Sequence, residues 1–67
     1  MELIENGITS LITGKTLEEG ISIIKEHSLE YRVVSEDGEY YVLHRDFKDR
    51  RVNLHLKNNI IVGAYRG

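Results

Sequence analysis

Apolar residues at Leu17, Ile21 and Ile24, with Ile23 widening the stripe, recur at helical spacing, while Glu18, Glu19, Lys25 and Glu26 fall between them. That spacing is the mark of a helix with one buried face. Thr16-Leu17-Glu18-Glu19 is a capping box, in which the Thr16 hydroxyl accepts from the Glu19 amide and the Glu19 carboxylate reaches back to the Thr16 amide. A helix is therefore predicted over residues 16–28, ending near His27-Ser28, with Glu18 and Glu19 where the helix dipole favours acids. Gly20 costs about 1 kcal/mol relative to alanine inside a helix, so a glycine there is read as space for a close neighbouring strand.

Beyond the helix the period falls to two. Arg51-Val52-Asn53-Leu54-His55-Leu56 alternates polar and apolar positions, as a half-buried strand does. Tyr31-Arg32-Val33-Val34-Ser35 is rich in strand formers and runs into Glu36-Asp37-Gly38, a turn sequence, after which Glu39 to Leu43 forms a second extended run. Lys57-Asn58-Asn59 reads as a tight turn that tolerates positive φ, joining Arg51 to Leu56 antiparallel with a last strand from Ile60 to Tyr65. Met1 to Thr13 places Leu3, Ile4, Ile8, Leu11 and Ile12 in no clean period and is expected to be an extended arm, whose strand would be the neighbour in a parallel pair. The predicted class is α+β, one domain over residues 1–67: a single helix packed on a small mixed β-sheet, with strands and a loop over 30–66.

Periodicity stops in one place. His44-Arg45-Asp46-Phe47-Lys48-Asp49-Arg50-Arg51 is dense in charge and lies between two extended runs, so residues 44–50 are read as an exposed loop held between strands.

Composition narrows what such a domain can do. A chain of 67 residues has a modest core and no room for a cleft walled by two domains. A hydrophobic fraction of 40% and a charged fraction of 30% are ordinary for a globular chain, and no stretch is long enough to span a bilayer, so no membrane partner is expected. Cysteine is absent, which leaves neither a disulfide nor a thiolate ligand. Acids stand near Met1 where a secretory signal would be basic, so a reducing, cytoplasmic setting is expected. The net charge of −2 is uneven: residues 1–40 carry nine acids against three bases, residues 41–67 six bases against two acids. The basic half suits an anionic partner, whereas the acidic total argues against nucleic acid.

Arg45, Lys48, Arg50 and Arg51 form a candidate anion-binding set for a nucleotide-like ligand, with His44 and His55 nearby; the competing reading is a solvated loop whose arginines pair with Asp46 and Asp49. Gly14-Lys15-Thr16 lacks the upstream glycine of a phosphate-binding loop and is accounted for by helix capping. His27, His44 and His55 have no metal-ligand spacing, so no metal or other cofactor is expected. Ser10, Ser22, Ser28 and Ser35 have no recognisable partner base, and the chain is read as a binding protein rather than an enzyme. Tyr31, Tyr40, Tyr41 and Tyr65 suit sheet edges with wet hydroxyls or an interface patch. The apolar run Tyr40-Tyr41-Val42-Leu43 admits a homo-oligomer formed along an edge strand.

Taken together, Thr13-Gly14-Lys15-Thr16-Leu17-Glu18-Glu19-Gly20, an apolar helix, a Val-Val strand, an exposed loop, Asp49-Arg50-Arg51-Val52-Asn53-Leu54 and a closing strand from Asn59-Ile60 to a glycine resemble the potato inhibitor I family of serine protease inhibitors and its small bacterial relatives. The resemblance covers about residues 8–67. It implies that the loop enters a protease active site as a substrate would, with His44 ahead of the specificity residue, Arg45 filling the specificity pocket, Asp46 just after the scissile bond and Phe47 where the family often has tyrosine. Arg45 then implies a trypsin-like target, since a cationic side chain needs an acid at the pocket base. The family's loop is supported by arginines of the following strand; Arg51 matches one such position, Asn53 stands at the other, and Arg66 lies one position from an expected terminal arginine. The sequence differs from the plant inhibitors in a longer connection from Val34 to Phe47, which contains Glu36-Asp37-Gly38-Glu39, and in having no proline in the loop.

Overall fold

A computed structural model describes residues 7–43 and 46–67. Two helices, α1 (Gly7–Ile12) and α2 (Leu17–Glu26), lead into four strands, β1 (Glu30–Glu36), β2 (Glu39–Tyr40), β3 (Arg51–Lys57) and β4 (Ile60–Arg66). The strands form one sheet in the order β2-β1-β3-β4. β1 runs parallel to β3, and β2 and β4 are antiparallel to their neighbours. The α+β class and the mixed sheet hold.

The capping box at α2 forms as its sequence dictates: Glu19 N donates to Thr16 Oγ1 and Thr16 N to Glu19 Oε1, each at 3.2 Å. At the other end Leu29 N reaches Ile24 O and Ser28 N reaches Lys25 O, with Ser28 at φ 60. That is the Schellman stop, with serine in the left-handed position that glycine takes most readily. The helix proper is thus shorter at both ends than the predicted 16–28, because Thr16, His27 and Ser28 are its caps. Both short hairpins use central residues at positive φ, Asp37-Gly38 (53 and 87) and Asn58-Asn59 (52 and 66), the backbone that matches the twist of flanking strands. Asp37 joins the two turns, its Oδ1 accepting from Asn58 N at 2.8 Å.

Three expectations are corrected. The described part of the arm is a helix, not an extended segment: Ile8 and Ile12, four residues apart, are buried in the core. Six residues are too few to establish a period in the sequence, and the core contact decides the conformation. The fold accordingly has two helices rather than one. The parallel neighbour of β1 is β3, so the long connection through β2 and the loop makes the crossover. The extended run Glu39 to Leu43 has ladder pairing only at Glu39 and Tyr40, and its last backbone hydrogen bond to β1 is from Tyr41 N to Val34 O.

One core lies between the helices and one face of the sheet: Ile8, Ile12, Ile24, Val52, Leu54, Leu56 and Ile61, flanked by Leu17, Ile23, Leu29, Val33 and Ala64. A Cβ on Gly20 would lie 2.2 Å from Ile61 Cδ1, so this glycine does give β4 its close approach to α2. The start of β4 is held by the connection between the helices, with Gly14 N donating to Ile61 O at 2.7 Å and Ile61 N to Lys15 O at 2.8 Å.

β3 is the central strand. Val52, Leu54 and Leu56 face the helices, and alternation turns Arg51, Asn53 and His55 to the opposite face. There Arg51 and Asn53 are as buried as core residues, at 7% and 0% exposure. Arg51 lies against Asp46 of the loop and Gly67, and Asn53 lies against Arg32 and Gly67.

Candidate functional site

The described part of the loop is secured at both ends. On the entering side, Tyr41 N donates to Val34 O at 3.0 Å and the Tyr41 hydroxyl to Glu36 Oε1 at 2.6 Å. That hydrogen bond to a carboxylate raises the Tyr41 pKa above its usual value. On the returning side, Arg51 N donates to Lys48 O at 3.2 Å, Lys48 N to Gly67 O at 3.3 Å and Glu30 N to Arg50 O at 2.7 Å. Arg66 directs Nε and Nη2 at the Asp49 carbonyl oxygen, the first at 3.0 Å.

Between these ends stands Asp46. Arg51, at the start of β3, donates Nη1 to Asp46 Oδ2 and Nη2 to both Oδ1 and the backbone oxygen, all at 3.2 Å, while its Nε reaches the backbone oxygen of Gly67 at 3.1 Å. A planar guanidinium grips a carboxylate and a carbonyl together in a way that a lysine could not. Arg32, from β1, adds Nη1 to Asp46 Oδ1 at 3.2 Å. These hydrogen bonds and charges, Arg51 foremost, hold the Asp46 carboxyl at a pKa of about 2 against an ordinary 3.8. Phe47 packs over the Gly67 position and is otherwise 73% exposed.

The sequence-predicted residues thus separate. Arg51 and Arg66 meet the loop directly, Arg51 at Asp46 and Arg66 at Asp49. Asn53 does not: its Oδ1 accepts from Arg32 Nε at 2.8 Å, and its Nδ2 is buried with no partner among the described residues. An unpaired buried donor costs about 1–3 kcal/mol. His44 and Arg45 lie outside the described residues. Of the candidate anion set, Lys48 pairs with Glu30 at 3.6 Å, Arg50 Nη2 donates to Ser28 O at 2.8 Å, and Arg51 is committed to Asp46. Those three cations therefore point to separate partners rather than converging on a shared space.

Arg32 was not identified from the sequence, where it sits in an ordinary strand pattern. The one signal was its even spacing with Val34 and Glu30 on β1, which assigns a face but no partner.

The two histidines among the described residues, His27 and His55, do not assemble. The Nδ1–H of His27 donates to Ile23 O at 2.9 Å as part of the helix stop, whereas His55 lies on the loop-side face of the sheet. His55 Nδ1 and Ser35 Oγ are 2.7 Å apart, so Ser35 does have a histidine partner, contrary to the reading from sequence spacing. Two bulges create this arrangement. β1 slips between Val33 and Ser35, and β4 loses register opposite His55 and Leu56, which sets Ser35 and Gly63 on either side of His55. The imidazole is enclosed by Tyr40 and Tyr65, with ring centroids at 5.9 and 5.8 Å. It borders an open depression of about 360 Å³ that Ser35, Tyr40, Lys57 and Gly63 also line. No carboxylate orients this imidazole among the described residues, and the usual nucleophile–base–orienter arrangement is incomplete. Among the described residues no cluster of three or more His, Cys, Asp or Glu could hold a metal ion, and no helix is long and apolar enough to cross a membrane.

Comparison with protein families, curated proteins and solved structures finds no match for this chain.

Proposed function

We propose that residues 41–50 form a substrate-like reactive loop and that the protein inhibits a trypsin-like serine protease in the manner of the potato inhibitor I family. The observation that carries this reading is the grip of Arg51 on both the carboxylate and the backbone oxygen of Asp46. A loop held from beneath at Asp46, the residue after the scissile bond on this reading, and tied at both arms has less conformational entropy to lose when it meets a partner. Binding through a small contact area can then be tight. After cleavage the same contacts would keep the new ends together and favour religation. The assignment of Arg45 to the specificity pocket rests on the resemblance, as does the placing of His44 before it.

The test is inhibition of trypsin by the purified protein. Nanomolar inhibition is expected, lost in Arg45→Ala. Arg51→Ala should weaken it and convert the protein into a substrate cleaved in the loop. Absence of inhibition of every trypsin-like enzyme at micromolar protein rejects the reading.

A second reading is favoured by the exposed apolar run: Val42 is fully exposed and Tyr40 is 75% exposed. On this reading the same scaffold is non-inhibitory and associates with a second copy or another protein. Its further form, sequestration of a nucleotide-like anion, has less support because Lys48, Arg50 and Arg51 are each engaged elsewhere.

A further inference from the structure

We infer that Arg32, oriented by Asn53, is a second positioning residue for the loop, so that Asp46 is clamped from two strands, β1 and β3. The inference deepens the reading of residues 41–50 as a reactive loop and rests on it for its functional consequence, though not for its geometry.

Strand order supplies the first part of the argument. β1 and β3 are parallel neighbours with Arg32 opposite Asn53, so their side chains emerge side by side on the loop-side face. An arginine at this position, half-buried and free to swing, would lose rotamer entropy on holding one carboxylate. Asn53 removes that freedom. Its side chain is fully buried, and its Oδ1 accepts from Arg32 Nε at 2.8 Å, which leaves Nη1 to meet Asp46 Oδ1 at 3.2 Å. The guanidinium is thereby fixed at two points, one in the sheet and one in the loop.

The second part is the cost of Asn53. A polar side chain buried at the centre of the sheet, with Nδ2 unpaired among the described residues, is a poor choice for stability alone. Its one hydrogen-bonded atom is the one that faces Arg32. The arrangement also divides the work: Arg51 holds the Asp46 carbonyl and carboxylate from the start of β3, while Arg32 meets the same Oδ1 from the adjacent strand. Asp46 is therefore constrained from two directions and cannot pivot about Arg51.

Carbon-detected NMR titration of the Asp46 carboxyl tests the clamp without any protease. In the intact protein the midpoint is expected at about 2. Arg32→Ala, a change at a partly exposed side chain, should raise it, since the Arg32 charge is one of the causes that lower it. Asn53→Val, which keeps bulk and suits a strand, should raise it in the same direction, and should add nothing in the Arg32→Ala background, because its effect passes through Arg32. An unmoved midpoint in Arg32→Ala overturns the inference, as does an Asn53→Val shift that persists in full without Arg32. Trypsin provides the functional arm: both variants should weaken inhibition about tenfold, the loss of one charge-assisted hydrogen bond, and speed cleavage in the loop. If the unmodified protein leaves trypsin active, the protease reading fails while the titration still decides the clamp.

Discussion

Arg51 directs its guanidinium at the loop, with Nε at Gly67 and both terminal nitrogens at Asp46, and its side chain is 8% exposed. A buried cation is tolerable only when its partners are this complete. Asp46 is the more informative member for experiment, because its carboxyl titrates. Its folded-state pKa is depressed to about 2 from 3.8, so the ionised form is favoured by folding, and the stabilisation is fully present above pH 3.8. It is lost as pH falls through that value towards 2. Melting temperatures of the unmodified protein and Asp46→Asn should accordingly differ at neutral pH and converge near pH 2. A constant difference across that range would show that the ion pairs do not contribute through the carboxylate charge.

At the scale of elements, the contact between α2 and β4 sets two rules against each other. Gly20→Ala improves helix propensity by about 1 kcal/mol, but the added carbon meets Ile61 Cδ1 at 2.2 Å in a fully buried site, and overpacking of a core typically costs about 1–3 kcal/mol. The substitution should therefore leave stability unchanged or lower it by about 1–2 kcal/mol. Ile61→Val removes the clashing methyl at about 0.5–1.5 kcal/mol. The double variant should be more stable than the sum of the two single effects, measured by denaturant unfolding. Simple additivity would mean that α2 moves aside instead. The helix caps and the two hairpin turns were legible in the sequence because each depends on a few adjacent residues, such as Thr16 with Glu19 or Asn58 with Asn59. The conformation of Gly7–Ile12 was not, since a six-residue helix has little stability of its own and is held by Ile8 and Ile12 against the core.

For the molecule as a whole, the two faces of the sheet have different tasks. One packs against the helices with aliphatic side chains, and the other carries Arg51, Asn53 and His55 under the loop and beside the tyrosines. The most exposed apolar side chains among the described residues, Tyr40, Val42, Phe47 and Val62, lie near the loop or on β4. If this surface serves a protease alone, the free protein should be monomeric by light scattering at concentrations used for inhibition, and Val42→Ser should leave its mass unchanged. A dimer dispersed by Val42→Ser would support the association reading instead.

The amino-acid sequence by itself determined the α+β class, the capped helix, the hairpin from β3 to β4 and the position of the charged loop, since each is encoded in short-range periodicity or turn chemistry. It also singled out Arg51. Which strand lies beside which was decided only in three dimensions, and the chemistry beneath the loop follows from it. Arg32 reaches Asp46 because β1 pairs with β3, and Ser35 reaches His55 because a bulge turns it to the same face. Both contacts join residues about twenty positions or less apart along the chain, across a crossover whose register depends on side-chain packing over the whole sheet. No local pattern encodes that register.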